Sequence, residues 1–91
     1  MLVRWTKPAV EDLKRITRHI RKDNPTAARH VAKTIFDTGN ALNTFPQRGR
    51  KGRIADTREL VFPGWPYILV YQVTQYAAEI LRIYHGAQDW P

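Results

Sequence analysis

The chain has 91 residues, a formal net charge of +7 and an isoelectric point near 10.3. This length predicts one domain, residues 1–91, with one modest core, and a hydrophobic content of 43% is typical of a folded chain. The excess of basic residues favours an acidic partner, which would be nucleic acid, a membrane surface or an acidic protein segment.

Composition also excludes several classes of protein. No apolar run approaches the roughly 20 residues of a membrane span, and the N-terminus lacks the long apolar region of a signal peptide. We therefore expect a cytoplasmic protein with no membrane partner. The chain has no cysteine, which excludes disulfide and thiolate chemistry, and its three histidines are dispersed without the spacing of metal ligands. We expect neither a metal nor a cofactor.

The N-terminal half predicts a short strand followed by a helix. The apolar run of residues 2–5 is the candidate strand. Thr6 is a candidate N-cap, and Pro8 is tolerated in the first helical turn because its missing N–H would be unpaired there. The helix should end near Asp23. Its apolar residues recur at helical spacing, and they are Val10, Leu13, Ile16 and Ile20.

A second helix begins at Asn24-Pro25, where an N-cap residue is followed by proline at the first helical position. Gly39 interrupts its pattern at a cost of about 1 kcal/mol against alanine, and Pro46 ends it. Two amphipathic helices with so short a connection form an antiparallel hairpin that needs a further apolar surface. The buried stripe of the second helix is predicted to be Ala28, Val31, Ile35 and Leu42.

Residues 47–53, with the sequence QRGRKGR, form a basic segment. This segment cannot belong to the core, so it is an exposed loop or an edge strand protected by charge. Its guanidinium groups and flexible backbone suit phosphate contacts, and a solvated connection is the alternative. Its glycines lack the spacing of a phosphate-binding loop. The cations of the segment are Arg48, Arg50, Lys51 and Arg53.

The C-terminal third predicts three consecutive β-strands, at residues 58–62, 67–73 and 77–85, with turns between them. The middle strand is apolar on both faces and should be central in the sheet. If the last strand alternates regularly, Ile80 and Arg82 share one face while Ile83 and His85 share the other. The predicted fold is α+β, with a short N-terminal strand and an antiparallel helical hairpin packed on a mainly antiparallel sheet.

Taken in order, these features resemble the RelE/ParE superfamily of toxins from toxin–antitoxin systems. The resemblance extends from about Trp5 to Pro91. It implies a compact α+β fold, a cognate antitoxin whose acidic, amphipathic segment wraps the toxin, and binding to operator DNA only through the toxin–antitoxin complex. The matching stretches after the first strand are PAVEDLKRITRHI, NPTAARHVAKTI, FPQRGRKGR, TRELVFPGWPYILVYQV and EILRIYHGAQDWP.

The RelE-like branch of the superfamily implies a metal-free ribonuclease that cuts mRNA on the ribosome. Such cleavage needs a base for the ribose 2′-OH, cations for the transition state and an acid for the leaving oxygen. The candidates are Arg58 and Arg82 as cations, with His85 as acid or base because its reference pKa is near neutrality. This set is incomplete, because Ile68 and Leu69 stand where these ribonucleases commonly carry a cation.

The ParE-like branch implies a protein that binds DNA gyrase and traps its cleaved DNA, with no catalytic groups of its own. The stretches around RELVFPGWPYILVYQV and ILRIYHGAQDW are more similar to this branch, so we favour gyrase poisoning over mRNA cleavage. A small basic RNA-binding module is the third alternative. Trp65 is either a recognition aromatic or a lid on the helical hairpin. The expected target contacts are Arg48, Arg50, Lys51, Arg53 and Trp90.

Overall fold

The computed structural model describes residues 1–87. Its elements in chain order are β1 (Leu2–Trp5), α1 (Lys7–Arg21), α2 (Pro25–Asn40), a 3₁₀ turn (Ala41–Asn43), β2 (Arg50–Lys51), β3 (Arg58–Val61), β4 (Tyr67–Val73) and β5 (Ala77–His85). The strands form one sheet in the order β1-β5-β4-β3-β2, in which β1 runs parallel to β5 and the other pairs are antiparallel. The predicted α+β fold is confirmed, and the fifth strand, β2, lies in the basic segment.

The two helices begin in different ways. The Asn24 side chain accepts a hydrogen bond from the Ala27 N–H at 3.0 Å, which confirms the predicted N-cap of α2. Thr6 precedes α1, but its hydroxyl does not cap the helix and instead donates to the Ile80 carbonyl oxygen at 2.7 Å. The Thr6 N–H also donates to this oxygen, at 3.1 Å. The start of α1 is therefore fastened to β5.

The hairpin of α1 and α2 covers one face of the sheet, and the core lies between these two layers. Three residues of the predicted stripe, Ala28, Val31 and Ile35, are buried on α2. The fourth, Leu42, is buried in the 3₁₀ turn, because the helix ends at Asn40 and not at Pro46. On α1, Ala9 and Asp12 are the fully buried residues, whereas Val10 is only half-buried. The core cluster consists of Ala9, Val31, Ile35, Leu42, Leu60, Phe62, Leu69, Tyr71, Ala78, Ile80 and Ile83.

Gly39 does not interrupt α2, and it allows the helix to approach β1 and β5 closely. A Cβ at this position would lie 2.7 Å from Cζ2 of Trp5 and 3.0 Å from Cδ1 of Ile80. The Trp5 indole stacks on Phe36, with ring centroids 5.5 Å apart, and donates to Asn40 Oδ1 at 3.0 Å. Close packing of α2 against the strands thus offsets the unfavourable helix propensity of glycine.

A β-bulge changes the phase of β5. Tyr71 of β4 lies opposite Ile80, but the next residue back, Val70, lies opposite Arg82, so Leu81 is the extra residue. Ile80 and Ile83 both enter the core as a result. The condition of regular alternation along β5 is therefore not met, because Leu81 interrupts it.

Tyr71 holds the start of the basic segment against the sheet. Its side chain is fully buried, and its hydroxyl donates to the Pro46 carbonyl oxygen and accepts from the Gly49 N–H, each at 2.8 Å. A Cβ on Gly49 would lie 2.7 Å from the Tyr71 ring, so only glycine fits without displacement. The path of the segment from Pro46 to Gly49 is therefore fixed by one phenol.

We predict that Tyr71→Phe lowers the free energy of unfolding by roughly 1–3 kcal/mol, because two backbone groups lose their partner inside the protein. Urea denaturation followed by circular dichroism measures this change. Tyr76→Phe is the matched control: Tyr76 is 77% exposed, and its change should stay within about 0.5 kcal/mol. Equal stability of the Tyr71→Phe variant and the wild type would contradict the prediction.

Candidate functional site

The basic segment follows the outer edge of the sheet. Its short strand β2 pairs with β3, with Arg50 opposite Glu59 and Lys51 opposite Arg58. The side chains of all four cations of the segment, Arg48, Arg50, Lys51 and Arg53, are exposed. Both predicted structures therefore occur in this segment, since Arg50 and Lys51 form a two-residue edge strand and its other residues form irregular loop.

Two residues of β3 attach this edge to the sheet. Glu59 is buried, with 3% exposure, and its carboxylate accepts from Arg50 Nη2 at 3.1 Å and from the Arg53 N–H at 3.1 Å. Arg58 Nη1 donates to the Gly49 carbonyl oxygen at 2.7 Å. Arg50 and Arg58 therefore have structural partners within the chain, which the sequence pattern did not reveal.

Arg82 is held by Asp12 of α1, a buried carboxylate with 1% exposure. Arg82 Nε donates to Asp12 Oδ2 at 2.7 Å, and Arg82 Nη2 donates to Oδ1 at 3.0 Å. Oδ2 also accepts from the Ile83 N–H at 2.9 Å, and Oδ1 accepts from Arg15 Nη2 at 2.7 Å. One carboxylate thus binds two guanidinium groups and a backbone amide.

These contacts determine the protonation states of Asp12 and Arg82. Burial by itself raises the pKa of Asp12, but hydrogen bonds from Arg82, the Ile83 N–H and Arg15 outweigh it and bring the pKa below its ordinary value of 3.8. The hydrogen bond to Asp12 raises the pKa of Arg82. Both groups are therefore charged at neutral pH.

The sequence prediction missed Asp12, although a signal was present. Asp12 lies three residues after Ala9 and four before Ile16, so it falls on the inward face of α1. A carboxylate in that position needs a buried cation or amide as partner. Arg82 lies in the otherwise apolar stretch ILRIY, so the sequence offered it as the candidate partner of Asp12.

The three candidate catalytic residues contact different partners. Arg82 binds Asp12 and Arg58 binds the Gly49 carbonyl, whereas His85 ends β5 with its ring edge-on to Tyr67 at 6.0 Å. His85 Nδ1 accepts from the Ala87 N–H at 3.0 Å. Trp90, the remaining predicted contact, lies outside the described residues.

A groove lies between α2 and the outer edge of β3, and we call it the α2–β3 groove. Trp65 lies at this groove with its ring edge-on to His30 at 5.5 Å and 6.2 Å from the ring of Phe62, as expected of a lid on the hairpin. The groove encloses about 560 Å³, and its lining consists of His30, Thr34, Thr38, Arg48, Arg50, Glu59, Leu60, Val61, Phe62, Pro63 and Trp65.

Within residues 1–87, the His, Asp and Glu side chains form no group of three or more that could hold a metal ion. None of the helices in that part of the chain is long and apolar enough to cross a membrane.

The element order and the helical hairpin on the sheet define a toxin domain of the RelE/ParE class. Residues 3–90 match the family described as ParE toxin of type II toxin-antitoxin system, parDE. The chain therefore belongs to the ParE toxin family, and the predicted ParE-like branch is confirmed. Membership implies a cognate antitoxin as partner.

A curated relative and a solved structure agree with this assignment. "Putative toxin Y4kP" of Sinorhizobium fredii (strain NBRC 101917 / NGR234) is 43% identical over 89 residues, which span 98% of this chain and 92% of that protein. The structure titled "Chromosomal ParDE TA system from P. aeruginosa" is similar with a TM-score of 0.84 and 26% identity, covering 93% of this chain and 95% of that one.

We predict that Asp12→Asn lowers the free energy of unfolding by roughly 1.5–3 kcal/mol, because it removes the charge of the acceptor for the half-exposed Arg82 guanidinium and for the Ile83 N–H. Urea denaturation at pH 7 measures the change. The matched control is Asp37→Asn, which removes an exposed ion pair with Lys33 and should cost less than about 1 kcal/mol. Similar losses in the two variants would contradict a special role for Asp12.

The ion pair between Asp12 and Arg82 also predicts that the stability of the protein depends on pH. Since the pKa of Asp12 is lowered in the folded state, its stabilising effect is fully present above the unfolded-state pKa of about 3.9 and is lost as the pH falls through the lower folded-state value. The stability difference between the wild type and Asp12→Asn should be constant above about pH 5 and shrink below 3.8. Denaturation curves at several pH values measure it, and a difference that grows in acid would contradict the assignment.

Proposed function

We propose that this ParE-family toxin inhibits growth by binding DNA gyrase and trapping its cleaved DNA, and that its cognate antitoxin neutralises it. The observation that carries the proposal is the ion pair between Arg82 and Asp12, because it engages the cation that a ribonuclease on this scaffold would need. The proposed action takes place in the cytoplasm and uses neither a metal nor a cofactor.

Ribonuclease chemistry requires a cation near the transition-state charge and an acid or base within reach of the same substrate. Two hydrogen bonds hold the Arg82 guanidinium against the buried Asp12 carboxylate, so its Nε and Nη2 donors are already used within the fold. Beyond the bulge, Arg82 lies opposite Val70 and is bonded to Asp12, whereas His85 lies opposite Tyr67 with its ring edge-on to that side chain. This arrangement supports a binding toxin over the RelE-like alternative.

The proposed gyrase contact is the charged outer edge of the sheet. Arg48, Lys51 and Arg53 have exposed side chains there, and Trp90 remains a proposed contact. An edge of this kind can approach phosphates of gyrase-bound DNA or an acidic surface of the enzyme. Operator DNA would be bound only by the complex with antitoxin.

We predict that the purified toxin, added to gyrase, ATP and plasmid, inhibits supercoiling or accumulates linear DNA at stoichiometric concentration. His85→Ala should retain this activity, since a binding toxin needs no acid or base. Lys51→Glu should weaken it about tenfold by reversing a contact charge. Lys14→Glu, the same charge reversal on the exposed side of α1, is the control and should have little effect.

The result that would overturn the proposal is a folded, antitoxin-binding toxin that leaves supercoiling and plasmid cleavage unchanged. Site-specific cleavage of mRNA on ribosomes by the same preparation would then favour the RelE-like activity. Partner-independent RNA binding that weakens steeply with salt would favour the RNA-binding module.

A further inference from the structure

The C-terminal end of α1 carries a cluster of exposed basic side chains. Residues 15–22, with the sequence RITRHIRK, contain four cations and no acid, and we call them the basic end of α1. The acids on either side are Asp12, whose carboxylate is already bonded to three donors, and Asp23 in the turn that follows. The four exposed cations of the basic end are Arg15, Arg18, Arg21 and Lys22.

The fold does not use most of this charge for its own contacts. Elsewhere in the described chain, exposed cations such as Arg4 and Lys33 pair with a carboxylate. Within residues 1–87, the side chains of Arg18, Arg21 and Lys22 make neither an ion pair nor a hydrogen bond. These three charges are therefore available to a partner.

Arg15 is positioned by the buried Asp12. Asp12 Oδ1 accepts from Arg15 Nη2 at 2.7 Å and from Arg82 Nη2 at 3.0 Å. One carboxylate thus lies against two guanidinium groups, so the three side chains together keep one net positive charge. Within residues 1–87, Nε and Nη1 of Arg15 make no hydrogen bond, and the guanidinium can bind an anion in a fixed orientation.

Arg15 and His19, one helical turn apart, line a cavity of about 300 Å³ between α1, the start of β4 and the end of β5. In the described part of the chain no acidic residue lines this cavity, because the Asp12 carboxylate below it is only 1% exposed. An anionic group can therefore approach Arg15 without meeting a carboxylate. The other lining residues are Ile16, Tyr67, Ile83, Tyr84 and His85.

The exposed side of α1 is cationic without being apolar. Leu13, Ile16 and Ile20 pack against the core, and the large hydrophobic side chains that are exposed within residues 1–87 lie on other elements. A membrane-bound helix needs an apolar face to insert, and a protein interface is centred on large apolar or aromatic anchors. Phosphate groups of nucleic acid need only cations and hydrogen-bond donors. Charge and composition thus favour a phosphate backbone as the partner.

We propose that the basic end of α1 binds the phosphate backbone of duplex DNA without sequence preference, with one phosphate at Arg15 and neighbouring phosphates at Arg18 and Lys22. These residues are three and four positions apart, so they share one side of the helix over about 10 Å. A duplex presents about six phosphate charges over that length.

This contact is separate from the proposed functions of the toxin. Phosphate contacts carry no sequence information, so selection of the operator remains with the toxin–antitoxin complex. The basic end of α1 shares no residue with the proposed gyrase contact. The DNA surface therefore stands or fails independently of gyrase inhibition.

The test measures binding of the full-length toxin to a fluorescein-labelled duplex of a sequence unrelated to the operator, by fluorescence anisotropy at several NaCl concentrations. The logarithm of the binding constant falls linearly with the logarithm of the salt concentration, with a slope of about −0.9 for each phosphate contacted. Three contacts predict a slope of about −3 for the wild type.

Arg15→Gln and Arg18→Gln should each make this slope shallower by about 0.9 and weaken binding roughly three- to tenfold at about 0.1 M salt. Arg18 is exposed and unpaired within residues 1–87, so its variant keeps the test informative even where Arg15→Gln fails to fold. Lys33→Gln removes the same charge from α2 and is the matched control, which should keep the wild-type slope.

Each other outcome contradicts the proposal. Absence of duplex binding by the folded wild type, or a slope that neither variant changes, would overturn it. A slope that becomes shallower in Lys51→Gln alone would place the DNA surface on the basic segment. An equal change in Lys33→Gln would show that net charge alone drives binding. Tighter binding to the single strand of the same sequence would contradict a duplex surface, and an effect of Arg18→Gln but not of a folded Arg15→Gln would contradict the phosphate position at the cavity.

Discussion

The buried carboxylate of Asp12 joins the helical layer to the bulged strand β5. β1 pairs with β5 only as far as Ile80, so the Ile83 N–H lies beyond the end of β1. Asp12 Oδ2 supplies the acceptor that this amide needs inside the protein. The same carboxylate binds Arg82, and Thr6 binds the Ile80 carbonyl just before the bulge. The approach of α1 to the sheet and the orientation of Arg82 thus depend on one side chain.

A buried carboxylate also binds an arginine and a backbone amide at the opposite edge of the sheet. Glu59 is a second buried carboxylate that holds an arginine, Arg50, and it also receives the Arg53 N–H. A chain with a net charge of +7 therefore uses its buried acids to fix some cations, while others remain exposed for a partner. This division separates Arg50, Arg58 and Arg82, which have structural partners, from Arg48 and Lys51 at the surface. This division supports our proposal that the molecule is a binding toxin.

Features set by local chemistry could be predicted from the sequence. The Asn24-Pro25 helix start, the buried stripe of α2 and the central position of β4 follow from capping and hydrophobic periodicity. Features set by packing between distant segments could not. The bulge at Leu81 depends on pairing with β4, and the fit of Gly39 depends on Trp5, 34 positions away in the sequence. The candidate site shows the same limit, because its cations were visible in the sequence but Asp12 and Glu59 were not recognised as their partners.

We propose that the arginines of this sheet are held in structural contacts and do not form a ribonuclease site. The most direct test adds the folded toxin to ribosomes translating a defined mRNA and maps the mRNA ends by primer extension. We expect no cleavage in the A site above that of a reaction without toxin. Cleavage that is abolished by His85→Ala, in a variant that remains folded, would contradict it.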